Sequence, residues 1–190
     1  MKAYTSNNIR NIAVLGHGGK GKTTLCEAML YIAGASDRLG RVADGNTVLD
    51  FDSEEKRRKS SVSSAIAALE WDNTKLNIID APGLFDFEGG AAEAVRAAEA
   101  VLIVTSAGSG VDVGTEKAFR AAEKKGAAKF FAVTKTDSDH RNFYKTFDAL
   151  KEVYGNKLCP TIIPYMEGNI TKCYVCLLYT SPSPRDRTRS

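Results

Sequence analysis

The chain has 190 residues, 43% hydrophobic and 26% charged, and its 26 Lys and Arg against 23 Asp and Glu give a formal net charge of +3. This near-neutral balance excludes the broad positive surface that binding to DNA or to a membrane surface requires, and no apolar run approaches the ~18–20 residues of a membrane span. The N-terminus lacks the apolar core of a signal peptide, and four cysteines in a chain this long do not form a disulfide framework, so we expect a cytoplasmic protein of one domain.

The first part of the chain predicts a strand, a helix and a long loop. Residues 9–15 are an apolar run ended by Gly16, which predicts a buried strand. Residues 23–33 have the apolar spacing of a helix, which stops at Gly34. Residues 35–61 are polar with little periodicity, and a loop of this length in a compact domain is usually functional or disordered.

The rest of the chain alternates strands with helices. The strands predicted at 62–71 and 76–80 are joined by a turn too short for a crossover, so they should pair antiparallel. The later elements alternate, with helices at 90–98, 115–125 and 139–154 and strands at 100–105 and 128–134. This order predicts an α/β fold with a mainly parallel sheet and helices on both faces. Ligands of such sheets bind at the carboxyl ends of the strands.

The last fifteen residues differ in character from the rest of the chain. From Cys176 the run CLLYTSPSPRD continues no earlier periodicity and closely resembles a translated sequencing adaptor; the alternative is a natural disordered basic tail. We therefore leave 176–190 out of the predicted fold, and expect 1–8 to be disordered and 9–175 to form the domain. The pair Cys173 and Cys176 is a weak zinc signal, because the sequence offers no second pair of ligands.

A phosphate-binding loop is predicted where the first strand meets the first helix. The run GHGGKGKT at 16–23 fits the pattern G-x-x-x-x-G-K-[ST]. Glycines let backbone N–H groups converge on phosphate oxygens, and the helix N-terminus adds positive potential. In such loops the lysine reaches the β- and γ-phosphates and the hydroxyl binds Mg²⁺; the alternative is a Gly-rich turn that happens to precede a helix. The residues expected to bind nucleotide here are Gly16, His17, Gly18, Gly19, Lys20, Gly21, Lys22, Thr23 and Thr24.

A second motif, Asp-Ala-Pro-Gly at 80–83, ends the strand 76–80. A carboxylate at that place can hold Mg²⁺ through water, and Gly83 can offer its N–H to the γ-phosphate because it carries no side chain. An ordinary strand-ending turn is the alternative. Ser61, just before the strand 62–71, could supply a hydroxyl to the metal. The predicted metal ligands are Thr23, Ser61 and Asp80.

A third motif, Thr134-Lys135-Thr136-Asp137, ends the strand 128–134. Guanine presents N1–H and N2–H₂ side by side, and one carboxylate can accept both hydrogens, whereas adenine offers no such pair. Asp137 would therefore select GTP, since a site built for hydrogen bonds rejects analogues that lack them. Lys135 would lie along the base, and the alternative is a solvent-facing turn.

Together these motifs resemble the GTP-binding domain of translational GTPases, in particular elongation factor G and elongation-factor-G-like proteins, over residues 9–175. His17 and the doubled Thr23-Thr24 are typical of that family, and NIIDAPGLFDF is similar to its N-I-I-D-T-P-G-H-x-D-F. Ser61 stands in the place of the metal-binding Thr of the family's switch segment. The resemblance implies a P-loop NTPase three-layer fold and a monomer that binds GTP, GDP and Mg²⁺. It also implies that GTP is hydrolysed to GDP and phosphate in a cycle coupled to the ribosome.

The sequence departs from the family pattern at four places. Leu84 stands where the family has the catalytic His that positions the attacking water, a loss that typically costs ~10²–10⁴ in rate. Gly19 replaces an Asp of the phosphate loop, and Thr134 replaces an Asn. The chain stops before the family's S-A-K/L guanine loop and last sheet strand, so we expect an N-terminal fragment. Catalysis is expected to depend on Lys22, Gly83 and the position held by Leu84.

Two other functions remain open. Leu84 favours a GTP-binding, ribosome-associated switch with little hydrolysis. The run GHGGKGKTT is also near the K-G-G-x-G-K-T-T of ParA/MinD-type ATPases, but His17 stands where that family needs Lys, and Asp137 would then have no role.

Overall fold

The computed structural model describes residues 3–137, 142–167 and 170–180. They belong to two compact units, one formed by Met1–Thr105 with Asp112–Thr134 and the other by Ser106–Val111 with Lys135–Ser190. None of the helices in the described ranges is long and apolar enough to span a membrane.

The first unit is built on a five-stranded sheet. Its strands are β1 (Ile9–Leu15), β2 (Ala65–Trp71), β3 (Thr74–Asp80), β4 (Ala100–Ser106) and β5 (Ala128–Thr134), in the order β2-β3-β1-β4-β5. Strand β1 runs parallel to both β3 and β4, and β2 pairs antiparallel with β3 at the sheet edge. The predicted α/β fold, a mainly parallel sheet with one antiparallel edge pair, is confirmed.

Four helices accompany this sheet: α1 (Lys22–Ile32), α2 (Ser53–Arg58), α3 (Glu88–Ala97) and α4 (Val113–Lys125). Helix α1 buries Cys26 and Leu30 against Val14 of β1 and Ile78 of β3. The same apolar cluster contains Leu49, which lies in the long polar segment between α1 and β2. One buried leucine therefore ties that segment to the core.

The segment 35–61 is more ordered than the predicted loop. It contains a 3₁₀ turn at Val42–Asp44 and the helix α2, which starts with a reciprocal capping box between Asp52 and Glu55. Asp52 three residues before Glu55 is a readable helix-start signal, so the expectation of a structureless loop is wrong for α2. The charged run at 54–59 faces solvent as expected except for Glu55, which is buried.

The predicted element boundaries hold closely elsewhere in this unit. Strands β1 and β5 have the predicted limits, and β2 starts at Ala65 rather than at residue 62. The β2–β3 turn uses Asp72 and Asn73 with φ of 44° and 57°, a left-handed conformation that Asp and Asn tolerate. A 3₁₀ turn, Ser6–Asn8, precedes β1 inside the segment expected to be disordered.

The second unit contains α5 (Phe143–Tyr154) and a hairpin of β6 (Ile162–Glu167) and β7 (Ile170–Cys176), followed by α6 (Leu177–Thr180). Within it, Gly108 donates its N–H to the Thr146 hydroxyl of α5 at 2.8 Å. The sequence predicts α5 from residue 139, and residues 138–141 lie outside the described ranges. The hairpin was not predicted, and residues 181–190 of the suspected tail also lie outside those ranges.

Candidate nucleotide-binding site

The predicted phosphate loop connects β1 to α1 with left-handed backbone at three glycines. Gly16, Gly19 and Gly21 have φ of 140°, 73° and 86°. A Cβ on Gly16 would overlap the backbone carbonyl oxygen of Val104 in β4, so no other residue fits there. The loop consequently packs close to the sheet and leads directly into the N-terminus of α1, where Thr24 is exposed on the first turn.

Lys22 lies inside the site. It is only 6% exposed, and its Nζ donates to the backbone oxygen of His17 at 3.2 Å. Burial lowers the pKa of Lys22, and the nearby Asp80 carboxylate opposes that shift. A Cβ on Gly83 would overlap Lys22 Nζ and come within 2.8 Å of the Gly16 carbonyl oxygen. The structure therefore brings Gly83 directly over the phosphate loop beside Lys22.

The three predicted metal ligands meet at the start of α1. The Thr23 hydroxyl donates to Asp80 Oδ2 at 2.6 Å and lies 3.2 Å from Ser61 Oγ. Ser61 Oγ in turn donates to Asp50 Oδ1 at 2.7 Å. Because each hydroxyl can donate its proton to a carboxylate, both hydroxyl oxygens keep lone pairs that a metal ion could use.

This donor set fits Mg²⁺. Hydroxyl and carboxylate oxygens are hard ligands of the kind that Mg²⁺ takes, together with waters and substrate phosphates. Asp80 Oδ1 is buried and has no hydrogen-bond partner within the described ranges. The same ranges contain no cluster of three or more His, Cys, Asp or Glu side chains arranged to hold a metal, so Mg²⁺ would need phosphate oxygens or waters as its remaining ligands.

Asp50 is a site residue that the sequence did not reveal. It is 4% exposed, and burial raises its pKa, although the hydrogen bond from Ser61 opposes that shift. Nothing in the local sequence distinguishes Asp50 from Asp44 or Asp52, its neighbours in the same polar segment. Only the fold, by burying Leu49, turns Asp50 toward Ser61.

Three carboxyl groups are buried close together in the site: Asp80, Asp50 and Glu27. Burial raises the pKa of Asp80 from 3.8 to about 7, Asp50 and Glu27 raise it further, and Thr23 and Lys22 oppose the shift. These three carboxyls are each at most 4% exposed, and the ammonium of Lys22 favours the charged form of Asp80. Buried charges need partners or metal ions, so the arrangement favours a bound cation.

Leu84 and His17 cover different parts of the phosphate loop. Leu84 is 39% exposed, and its Cδ2 lies 3.0 Å from the position that a Cβ on Gly18 would take. The His17 ring packs edge-on against Phe85 with centroids 5.4 Å apart, and its backbone fits against Gly114 of α4. The side chain at the predicted catalytic position is therefore apolar and cannot accept a proton.

Two side chains brace the loop through Lys20. Thr134 Oγ1, at the end of β5, lies 2.6 Å from the Lys20 carbonyl oxygen and 3.1 Å from that of Thr105, and can donate its one proton to either. Lys20 Nζ forms an ion pair of 3.1 Å with Asp112, the N-cap of α4. Partial burial raises the pKa of Asp112, but hydrogen bonds from Thr115 and the pair with Lys20 outweigh that effect and lower it. Asp112 was also missed by the sequence analysis, although Asp three residues before Thr115 is a helix-start signal.

The predicted guanine-binding residues follow β5 in the second unit. Lys135 has a φ of 56° and Asp137 is exposed. The roles of Lys135 and Asp137 in guanine recognition stay predictions.

The comparisons with known proteins all indicate one family. The model of the family "Elongation factor Tu GTP binding domain" matches residues 7–176. The chain is 37% identical over 162 residues to an elongation factor G-like protein of Mycobacterium tuberculosis, covering 85% of this chain and 23% of that protein. It is 32% identical over 164 residues to elongation factor G of Granulibacter bethesdensis, covering 86% of this chain and 24% of that protein.

A solved structure from Thermus thermophilus is similar with a TM-score of 0.85 and 34% identity, over 95% of this chain and 29% of that one. The bacterial selenocysteine-specific elongation factor EF-Sec gives a TM-score of 0.63 at 25% identity, over 78% of this chain and 24% of that one. The chain thus spans less than a third of the length of each of these proteins. Because the family model covers residues 7–176 of 190, the chain belongs to the elongation factor Tu GTP-binding domain family, the GTP-binding domains of translational GTPases.

Proposed function

We propose that this chain is the nucleotide-binding part of an elongation-factor-G-like translation factor that hydrolyses GTP to GDP and phosphate in a cycle coupled to the ribosome. The observation that carries the proposal is the meeting of Thr23, Ser61 and Asp80, with Lys22 and Gly83 beside them. Family membership supports the same activity. We further propose a cytoplasmic monomer.

Each residue has a distinct task in this reaction. Bound Mg²⁺ would supply charge neutralisation on the phosphate oxygens. Thr23 and Ser61 would hold the metal directly, and Asp80 would hold it through water. Lys22 would neutralise charge as the bond from the γ-phosphorus to the bridging oxygen breaks and water attacks in line. The Gly83 N–H would donate to a γ-phosphate oxygen.

Guanine selection is assigned to Asp137. Its carboxylate can accept N1–H and N2–H₂ of guanine together, and Lys135 would lie along the base. This assignment depends on the T-K-x-D motif at the end of β5. ATP would leave the Asp137 carboxylate without hydrogen-bond donors, which is a strong basis for discriminating GTP from ATP.

A GTP-binding switch with little hydrolysis is the second candidate. It is favoured by Leu84, whose side chain packs on Gly18 and has no group that could orient water or take its proton. Partner proteins commonly accelerate hydrolysis by GTPases ~10³–10⁵-fold. A slow rate without ribosomes therefore fits both candidates, and stimulation by ribosomes separates them.

Single-turnover hydrolysis of GTP with and without ribosomes tests the proposal, using the 190-residue chain and, in parallel, the full-length protein that contains it. We expect slow hydrolysis that ribosomes accelerate at least in the full-length protein. Hydrolysis that ribosomes leave unchanged in both would favour the switch. Displacement of a fluorescent guanine nucleotide by GTP and ATP tests the base: equal displacement would overturn guanine selection and restore the ATPase alternative.

A further inference from the structure

Glu27 is a fully buried carboxylate on α1, one turn after Thr23. Its exposed fraction is 0%, and its Oε1 accepts the backbone N–H of Val48 at 2.7 Å and that of Leu49 at 3.0 Å. Its Oε2 is buried without a hydrogen-bond partner in the described part of the chain. A buried carboxylate is costly to keep, so a charged group at this point of the core calls for a role beyond packing.

The segment that follows α1 lies close against the Glu27 carboxylate at Gly40. A Cβ on Gly40 would overlap Glu27 Oε2 and come within 2.8 Å of Thr47 Cα. The backbone at Gly40 and again at Val48 and Leu49 therefore lies close against one side chain of α1. Leu49, whose N–H is held by Glu27, is 2% exposed within the apolar core.

These contacts form a closed path back to the metal ligands. Asp50 follows directly after Leu49 and accepts from Ser61, and Ser61 lies 3.2 Å from Thr23 Oγ1. Thr23 and Glu27 are four residues apart on α1 and thus on one helix face. The helix that carries Thr23 therefore also holds the segment that carries Asp50, the hydrogen-bond acceptor of Ser61.

Glu55 stabilises the same segment in a different way. It accepts hydrogen bonds from Asp52, Val62 and Ser63, all within eight residues. Glu55 therefore stabilises only the residues on either side of α2. Glu27 makes the contact between this segment and α1 across more than twenty positions of sequence.

We propose that Glu27 is a positioning residue that fixes segment 40–50 to α1 so that Asp50 holds Ser61 beside Thr23, and that it thereby sets the metal-dependent part of nucleotide retention. The anchoring does not depend on the proposed function. The effect on nucleotide retention does rest on the proposed function. Two hydrogen bonds to one charged acceptor are strong and directional, so an apolar side chain of equal length would fill the space without holding the segment.

Four variants test this inference in the 190-residue chain. Glu27→Met removes the acceptor, Glu27→Gln keeps one acceptor oxygen, Glu27→Asp withdraws the carboxylate by one methylene, and Glu93→Met is an exposed control on α3. In the nucleotide-free protein, amide hydrogen exchange at Val48 and Leu49 should be about tenfold faster or more in Glu27→Met and Glu27→Asp. Glu27→Gln and the control should stay within about threefold of the parent.

The functional readout is the release rate of a fluorescent guanine nucleotide with Mg²⁺ and with excess EDTA. We expect release about tenfold faster in Glu27→Met with Mg²⁺ and unchanged release in EDTA, with Glu27→Gln close to the parent. Parent-like exchange and release in Glu27→Met, equal acceleration in EDTA, or identical behaviour of Gln and Met would each overturn the proposal.

Two further outcomes are decided by the same design. If Glu27→Met does not fold, Glu27→Asp gives the answer, because it keeps a carboxylate and only withdraws it by one methylene from the N–H groups of Val48 and Leu49. If the parent chain binds no guanine nucleotide, the proposed function fails in this chain and the retention effect with it. In that case faster exchange at Val48 and Leu49 still supports the anchoring, and unchanged exchange overturns it.

Discussion

Leu84 and Gly18 form a complementary pair across the phosphate loop. The Cδ2 of Leu84 lies 3.0 Å from where a Cβ on Gly18 would be, and Gly83, the neighbour of Leu84, lies beside Lys22. A branched side chain at residue 18 and the leucine at residue 84 therefore compete for one space. The absence of a side chain at Gly18 is what allows Leu84 to rest on the loop.

A double-mutant cycle tests this pair. Gly18→Val should cost about 1–3 kcal/mol of unfolding free energy through overpacking, and Leu84→Ala should relieve part of that cost. We expect a coupling of at least about 0.5 kcal/mol in the direction of rescue, measured by chemical denaturation of the nucleotide-free chain. Purely additive effects of the two substitutions would contradict the contact.

The second prediction concerns catalysis at residue 84. Leu84→His places a group there that can orient water and exchange protons, which is worth ~10²–10⁴ in rate where the geometry is productive. We expect faster ribosome-stimulated single-turnover hydrolysis and little change without ribosomes. Leu84→Met is the control, since it keeps an apolar side chain. No gain from histidine, in a protein that ribosomes also fail to stimulate, favours the switch with little hydrolysis.

The third prediction concerns base selection. Asp137→Asn replaces an acceptor by an amide that can donate to the O2 of xanthine, which stands where guanine has N2–H₂. The variant should lose affinity for GDP by ~10²-fold or more and gain affinity for xanthosine diphosphate. Fluorescence competition with both nucleotides measures the change. Asp148→Asn, at an exposed position of α5, is the matched control, and unchanged selectivity in Asp137→Asn would remove Asp137 from the guanine site.

The sequence predicted the elements whose signals are local. The apolar runs of β1 and β5 and the glycines of the phosphate loop each act within a few residues, and their limits agree with the structure. Helix α2 was missed although its capping residues Asp52 and Glu55 are visible in the sequence. Asp50 and Glu27 could not have been found in this way, because their roles depend on contacts with residues 11 to 22 positions away. Such contacts exist only after Leu49 is buried.

The last prediction follows from the buried carboxyl of Asp80. Its pKa of about 7 in the nucleotide-free protein lies above the ordinary 3.8, chiefly because burial disfavours the charged form. The folded state therefore keeps a proton that the unfolded chain releases at lower pH. Stability from this group is present below pH ~4 and is lost as the pH rises toward ~7. Lys22, Asp50 and Glu27 all face this carboxyl and modulate the size of the effect.

Asp80→Asn removes this titration, because the amide stays neutral at every pH. At pH 8 we expect the nucleotide-free variant to be more stable than the parent by up to ~4 kcal/mol. The difference should fall to about 1.6 kcal/mol at pH 5 and become small below pH ~4. Denaturant unfolding across that pH range measures it, with Asp86→Asn as an exposed control. Binding of Mg²⁺ with GDP should oppose the trend, since the carboxylate that destabilises the nucleotide-free protein is the one that would hold the metal's water. Parallel pH profiles of the parent and Asp80→Asn would show that Asp80 is charged in the folded protein throughout.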